Sequence, residues 1–151
     1  MKEFLIVLII VLGQTGMTLA QEFHFKFQHS ALGVFDVDES AEFYIEILGF
    51  KEIPNRSQTP GIRWLSLGHG LELHLIQTKD LTVNEIRQTH LAWSTDRFDQ
   101  FLDVLEKHDL DYTDWPGNKK GPSLRADGVH QVYFQDPNGY WIEINDEYGK
   151  N

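Results

Sequence analysis

The stretch HSALGVFDVDESAEFYIEILGF, residues 29–50, changes its hydrophobic period midway. From His29 to Phe35 the residues alternate as a strand does, with a period of two. At Asp38, two residues ahead of Ser40, a helical stretch opens in which Ala41, Tyr44, Ile47 and Leu48 recur at helical spacing. Gly49 ends it, since glycine accepts the left-handed backbone that closes helices. Three strand candidates follow: Phe50 to Ile53, Ile62 to Leu67 and Leu71 to Gln77. The last two are joined by a turn at Gly68, His69 and Gly70.

The same order then begins again. Thr89 to Ser94 reads as a strand, and Asp96 caps a helix in which Phe98, Phe101, Leu102 and Leu105 share one face. Leu110 to Trp115 is a further strand candidate, followed by the loop WPGNKKGPSLRADG, residues 115–128. Val129 to Gln135 and Tyr140 to Asn145 make a last hairpin across the turn Asp136-Pro137-Asn138-Gly139. Strand–helix–strand–strand–strand is thus read twice, over about 28–78 and about 88–148, with the polar stretch Thr78 to Gln88 between them. A repeat of this kind points to a pseudo-twofold α+β structure.

Outward from the modules, residues 1–20 read MKEFLIVLIIVLGQTGMTLA. Lys2 precedes an apolar run from Leu5 to Leu12, and Thr18, Leu19 and Ala20 supply a cleavage-type ending. This is the layout of a secretory signal peptide, and the run is too short to span a bilayer. The expected product is cut near Ala20 and exported, periplasmic or secreted, as a single domain over residues 21–151 with no membrane attachment. The chain of 151 residues carries 13 Lys and Arg against 23 Asp and Glu, a formal charge of −10. Loss of the leader leaves that charge unchanged, because Lys2 and Glu3 cancel. The remainder is long enough to bury a core without staples. Its acidity argues against nucleic acid, which needs a basic face. The absence of cysteine excludes disulfides, thiolate metal sites and a cysteine nucleophile.

Histidines hold matching positions in the two halves. His29 opens the first strand of the first half, and His90 that of the second. Glu72 and His74 lie in the fourth strand of the first half, and Glu143 lies in the fourth strand of the second. Alternation puts Glu72 and His74 opposite Leu71, Leu73 and Leu75, and Glu143 opposite Ile142 and Ile144. Carboxylates and imidazoles inside apolar strands are costly unless paired, hydrogen-bonded or bound to metal. Three imidazoles and a carboxylate suit a divalent ion such as Zn, Ni or Fe. The bland alternative is a set of polar residues satisfied by hydrogen bonds.

HSALGVFDVDESAEFYIEILGF (29–50), GLELHLIQ (70–77), THLAWST (89–95) and QVYFQDPNGYWIEIND (131–146) resemble the glyoxalase/bleomycin-resistance/dioxygenase family, the vicinal oxygen chelate superfamily. The resemblance implies a glyoxalase-like fold in which two βαβββ modules form a curved mixed sheet, a cup around a divalent metal ion (Zn, Ni, Fe or Mn). Carried over, the implied metal ligands are His29, His90 and Glu143, with His74 preferred to Glu72 as the fourth. Glu72 is then a second-shell group or proton shuttle, and Glu143 serves both metal and catalysis.

Such a site predicts lyase- or isomerase-type chemistry on a small oxygen-bearing substrate, with dioxygenase chemistry disfavoured by a fourth ligand. The alternative is a metal-free protein that sequesters a small molecule. Trp64 and Tyr133 are candidates to line the pocket, and Arg125, in the basic loop 115–128, to hold an anionic substrate. A homodimer is expected, with the site either inside one chain or shared between two.

Overall fold

The computed structural model describes residues 23–83 and 86–150; the expected leader at 1–20 lies outside them. The first module runs β1 (His29–Val34), α1 (Val37–Leu48), β2 (Lys51–Ile53), β3 (Ile62–Gly68) and β4 (Leu71–Gln77). The second runs β5 (His90–Ser94), α2 (Phe98–Lys107), β6 (Tyr112–Thr113), β7 (Ser123–Leu124), β8 (His130–Gln135) and β9 (Trp141–Asn145). No helix among the described residues is long and apolar enough to cross a membrane.

The helix α1 begins one residue before the expected Asp38. Asp36 is its cap, accepting the amides of Asp38 and Glu39 at 2.9 and 3.1 Å. Such a bond satisfies donors that the first turn leaves free. Gly49 closes the helix at φ 70°, as expected. In α2 the capping position falls to Arg97, which makes no side-chain cap bond, and not to Asp96. The loop 115–128 holds a short strand, β7, which the sequence does not announce, and β6 is only two residues long. The second module is therefore more elaborate than a plain βαβββ unit.

The expectation of one curved mixed sheet forming a cup is overturned. The strands make two sheets, ordered β1-β4-β3-β2 and β5-β9-β8-β6 with β7 beside β8, and neither pairs with the other. In each, the module's first strand runs parallel to its last. The physical reason lies in where the apolar faces go. Leu32, Val34, Leu65, Leu73 and Leu75 of one sheet share a single core with Val132, Phe134, Ile142 and Ile144 of the other, together with Ala41, Tyr44 and Ile47 of α1 and Leu105 of α2. Two sheets that bury their faces in a common core need no shared edge.

Polar bonds lock that arrangement within the chain. The Tyr44 hydroxyl donates to Asp136 at 3.0 Å, both side chains being buried. The Asn138 amide donates to Ser40 at 2.9 Å and its carbonyl oxygen accepts the Phe35 amide at 2.9 Å. Tyr140 donates to the Gly33 carbonyl at 3.0 Å. The turn at 136–139 thus docks onto the first module as well as joining β8 to β9. Burial pushes the Tyr44 hydroxyl well above its ordinary range and raises the Asp136 carboxyl, which hydrogen bonds from Tyr140, Tyr44 and Asn138 partly counter.

Candidate functional site

Since the core faces of the two sheets look toward each other, alternation sends His29, Glu72 and His74 to the opposite face of one sheet, and His90, Tyr133 and Glu143 to the opposite face of the other. The candidate ligands therefore form two clusters turned away from the common core. Among the described residues no group of three or more His, Asp or Glu side chains converges to hold a metal ion.

The first cluster is a column of planar groups. The parallel register sets His29 beside Glu72, and β3 sets Trp64 beside His74. The His29 and His74 rings stack at 4.3 Å, and His74 stacks on Trp64 at 4.0 Å. The Arg56 guanidinium sits 4.5 Å over the Trp64 ring, at cation–π distance. His74 Nε2 donates to Glu72 at 2.8 Å, and Arg56 Nη2 donates to both Glu72 oxygens at 2.8 and 2.9 Å. His74 and then Arg56 hold the Glu72 carboxyl below its ordinary value. That lowers the proton affinity a shuttle requires. His29 Nδ1 donates to the Gln28 side-chain oxygen.

The second cluster is more enclosed. Tyr133 donates to Glu143 Oε2 at 2.6 Å, and Asn145 donates to Oε1 at 2.7 Å. All three side chains are buried. Burial, then the bond to Glu143, drives the Tyr133 hydroxyl far above its ordinary value, so it stays a donor at any physiological pH. His90 Nδ1 donates to the Arg87 carbonyl at 2.8 Å. In the neutral ring this leaves the Nε2 lone pair free, yet Nε2 faces Glu143 Oε2 at 3.2 Å. Two lone-pair groups at that distance call for a positive charge between them, either a proton or a cation. The carbonyl behind His90 plays the part that fixes the tautomer of metal-binding histidines. Imidazole and carboxylate donors without thiolate suit a borderline divalent ion, so the residues present fit such a metal.

Arg125 acts on Glu143 and Tyr133 through space, without a hydrogen bond to either. It pairs with Asp127 and with Glu147, the latter at 3.3 Å, so its charge is answered inside the chain. Two residues outside the sequence reading enter the site, Arg56 and Arg87, and Asn145 enters it beside Glu143. For Asn145 the signal was present, since it shares a strand face with Glu143. The two arginines come from loops, where no periodicity marks them.

Residues 26–144 match the Glyoxalase/Bleomycin resistance protein/Dioxygenase superfamily. The chain is 31% identical over 120 residues to "Glyoxylase I 4" of Arabidopsis thaliana, covering 72% of this chain and 63% of that protein's length. It is 29% identical over 121 residues to "Metallothiol transferase FosB" of Staphylococcus epidermidis, covering 78% of each. Among solved structures, a glyoxalase/dioxygenase from Nostoc punctiforme superposes with a TM-score of 0.66 at 26% identity, over 80% of this chain and 90% of that one.

Proposed function

The chain belongs to the Glyoxalase/Bleomycin resistance protein/Dioxygenase superfamily, and on that premise we propose that it is a metal-dependent enzyme whose site is completed by two copies of the chain. His90 and Glu143 of one copy and His29 of another hold a divalent ion, Zn, Ni, Fe or Mn. The observation that carries this reading is the placement of the two donor clusters on faces turned away from one core, so that one chain cannot bring them together. A second copy can, in a twofold homodimer.

The ion, when bound, supplies Lewis-acid stabilisation of negative charge on the oxygens of a small substrate. The chain's own residues do the rest. Tyr133 and Asn145 fix both Glu143 oxygens, so the carboxylate is held in one orientation. Gln28 and the Arg87 carbonyl pin Nδ1 of His29 and of His90, which directs both Nε2 lone pairs outward. His74 has its Nε2 on Glu72, so we assign His74 to holding that carboxylate and not to a fourth ligand position. The reaction assigned is of lyase or isomerase type, on a small oxygen-bearing substrate held at the ion. The names of the relatives, a glyoxylase and a metallothiol transferase, lend support to this class of chemistry. The apolar leader at residues 1–20 supports export before folding.

A second reading, metal-free sequestration of a small molecule, draws on the internal satisfaction of Glu72 and Glu143, each of which already has protein donors. Equilibrium dialysis of the purified chain against Mn²⁺ or Zn²⁺ separates the two. Stoichiometric binding that is lost on His90→Ala supports the enzyme; an affinity indistinguishable from that variant's returns the reading to sequestration.

A further inference from the structure

Arg87 stands beside the second cluster in an unusual state. Its Nη1 donates to the Asp114 and Trp115 carbonyls at 3.1 and 2.6 Å. Its guanidinium lies 4.6 Å over the Trp141 ring and 6.0 Å from that of Tyr133. Its Nε is buried and has no acceptor, and among the described residues none is bonded to Nη2. Nε and Nη2 lie on the same edge of a guanidinium, the edge that presents two parallel N–H groups to a carboxylate or phosphate. Anchored at Nη1 and stacked on an indole, this edge is held in place with no bonding partner among the described residues. The chain's other well-placed arginines differ. Arg56 is spent on Glu72, Arg63 on Glu52 and Asp38, and Arg125 on Asp127 and Glu147.

A second orphan lies close by. Thr113 Oγ1 is also buried without a partner. Thr113 immediately precedes the carbonyls that Arg87 holds, and β-pairing sets it beside Tyr133, which in turn sits beside Glu143. A cavity of about 310 Å³ opens beside Thr113, lined also by Asp111, Lys119, Tyr133, Gln135 and Trp141. Lys119 pairs with Asp111 at 3.5 Å within this lining, and Arg87 reaches the same region by stacking on Trp141. Buried polar atoms without partners are rare, and two of them, one on a wall of this cavity and one on the arginine stacked against its Trp141, point to a ligand's place.

We propose that Arg87 is the specificity-determining residue for an oxyanion on the substrate, a carboxylate or phosphate-type group received on its Nε–Nη2 edge with Thr113 Oγ1 as an accessory hydroxyl donor. The proposal deepens the metal-dependent reading by naming the substrate class, and it rests on that reading for the position of the reacting end. The main-chain carbonyl of the same residue orients His90, so Arg87 sets the distance between the anionic end of the substrate and the metal-binding histidine.

The test is a calorimetric titration of inorganic phosphate, and separately of acetate, into the purified chain with and without Mn²⁺. Wild type binds one of the two, and which one identifies the oxyanion. Arg87→Gln weakens that binding by about tenfold or more, as loss of a bidentate charged contact should. Arg87→Lys recovers only part of it, because a lysine keeps the charge without the fork. Lys107→Gln, at the exposed end of α2, leaves it unchanged. Mn²⁺ affinity, measured in parallel, moves less than about threefold in Arg87→Gln, since the carbonyl that orients His90 is main chain. Binding of neither anion by wild type, or equal binding by wild type and Arg87→Gln, overturns the proposal. Anion binding that depends on Arg87 in a chain that takes up no Mn²⁺ upholds it while removing the metal-dependent reading.

Discussion

His29 and His90 open equivalent strands, but their surroundings differ in kind. Around His29 the cluster is half open, built from stacked rings and held by a loop arginine that answers Glu72. Around His90 it is enclosed, and Glu143 is held by two neutral donors, Tyr133 and Asn145, in a buried setting. A carboxylate countered by an adjacent cation has little charge left for a metal ion. One bonded to neutral donors, with Arg125 acting on it only through space, keeps a fixed geometry for a cation. The difference teaches that the enclosed cluster presents a carboxylate held by hydrogen bonds, and the open one a carboxylate already paired with a cation.

Breaking the His90 half should have the largest effect. Glu143→Ala removes the only carboxylate assigned to the ion, and Mn²⁺ affinity in equilibrium dialysis should fall by more than about 100-fold. If it falls no further than in Glu72→Ala, the distinction between the halves is gone. Next comes the support around that carboxylate. Asn145→Ala and Tyr133→Phe each leave Glu143 with one donor, and each should weaken the metal by about 10- to 100-fold.

Smaller still is the effect at the other half. Arg56→Met should raise the Glu72 carboxyl toward its ordinary value, visible by NMR titration of the metal-free protein, with metal affinity nearly unchanged. The sign follows from the lowered carboxyl. Its contribution to stability is present above the unfolded carboxylate range and is lost as the pH falls through the lower, folded value. The variant should therefore lose less stability on acidification than wild type does. A Glu72 titration identical in the two proteins would contradict the assignment of Arg56 as its counter-charge.

Much of this was readable in the chain. The shift of period within residues 29–50 gives β1 and α1, and alternation in LELHLIQ and WIEIN assigns the polar faces correctly. The arrangement of the two sheets was not readable. Periodicity states which face is apolar, but it does not state that both apolar faces enter one core, and that fact alone sends the ligands apart. The turn at 136–139 shows why. Asp136 and Asn138 look like ordinary turn residues, yet their bonds to Tyr44, Ser40 and Phe35 set the orientation of the modules. Arg56 and Arg87 escaped for a related reason: both act from irregular segments, where only three-dimensional contact reveals a role.

The sharing of one site between two copies is tested most directly by mixing two defective variants. His29→Ala and His90→Ala are each expected to lose metal binding alone. Unfolded together and refolded at equal concentration, they form mixed dimers in which one site combines the intact His29 of one chain with the intact His90 of the other. Random pairing with twofold symmetry then restores about a quarter of the wild-type Mn²⁺ sites. Recovery near that fraction is the predicted result. No recovery in a mixture shown by mass to contain the mixed dimer would contradict the account.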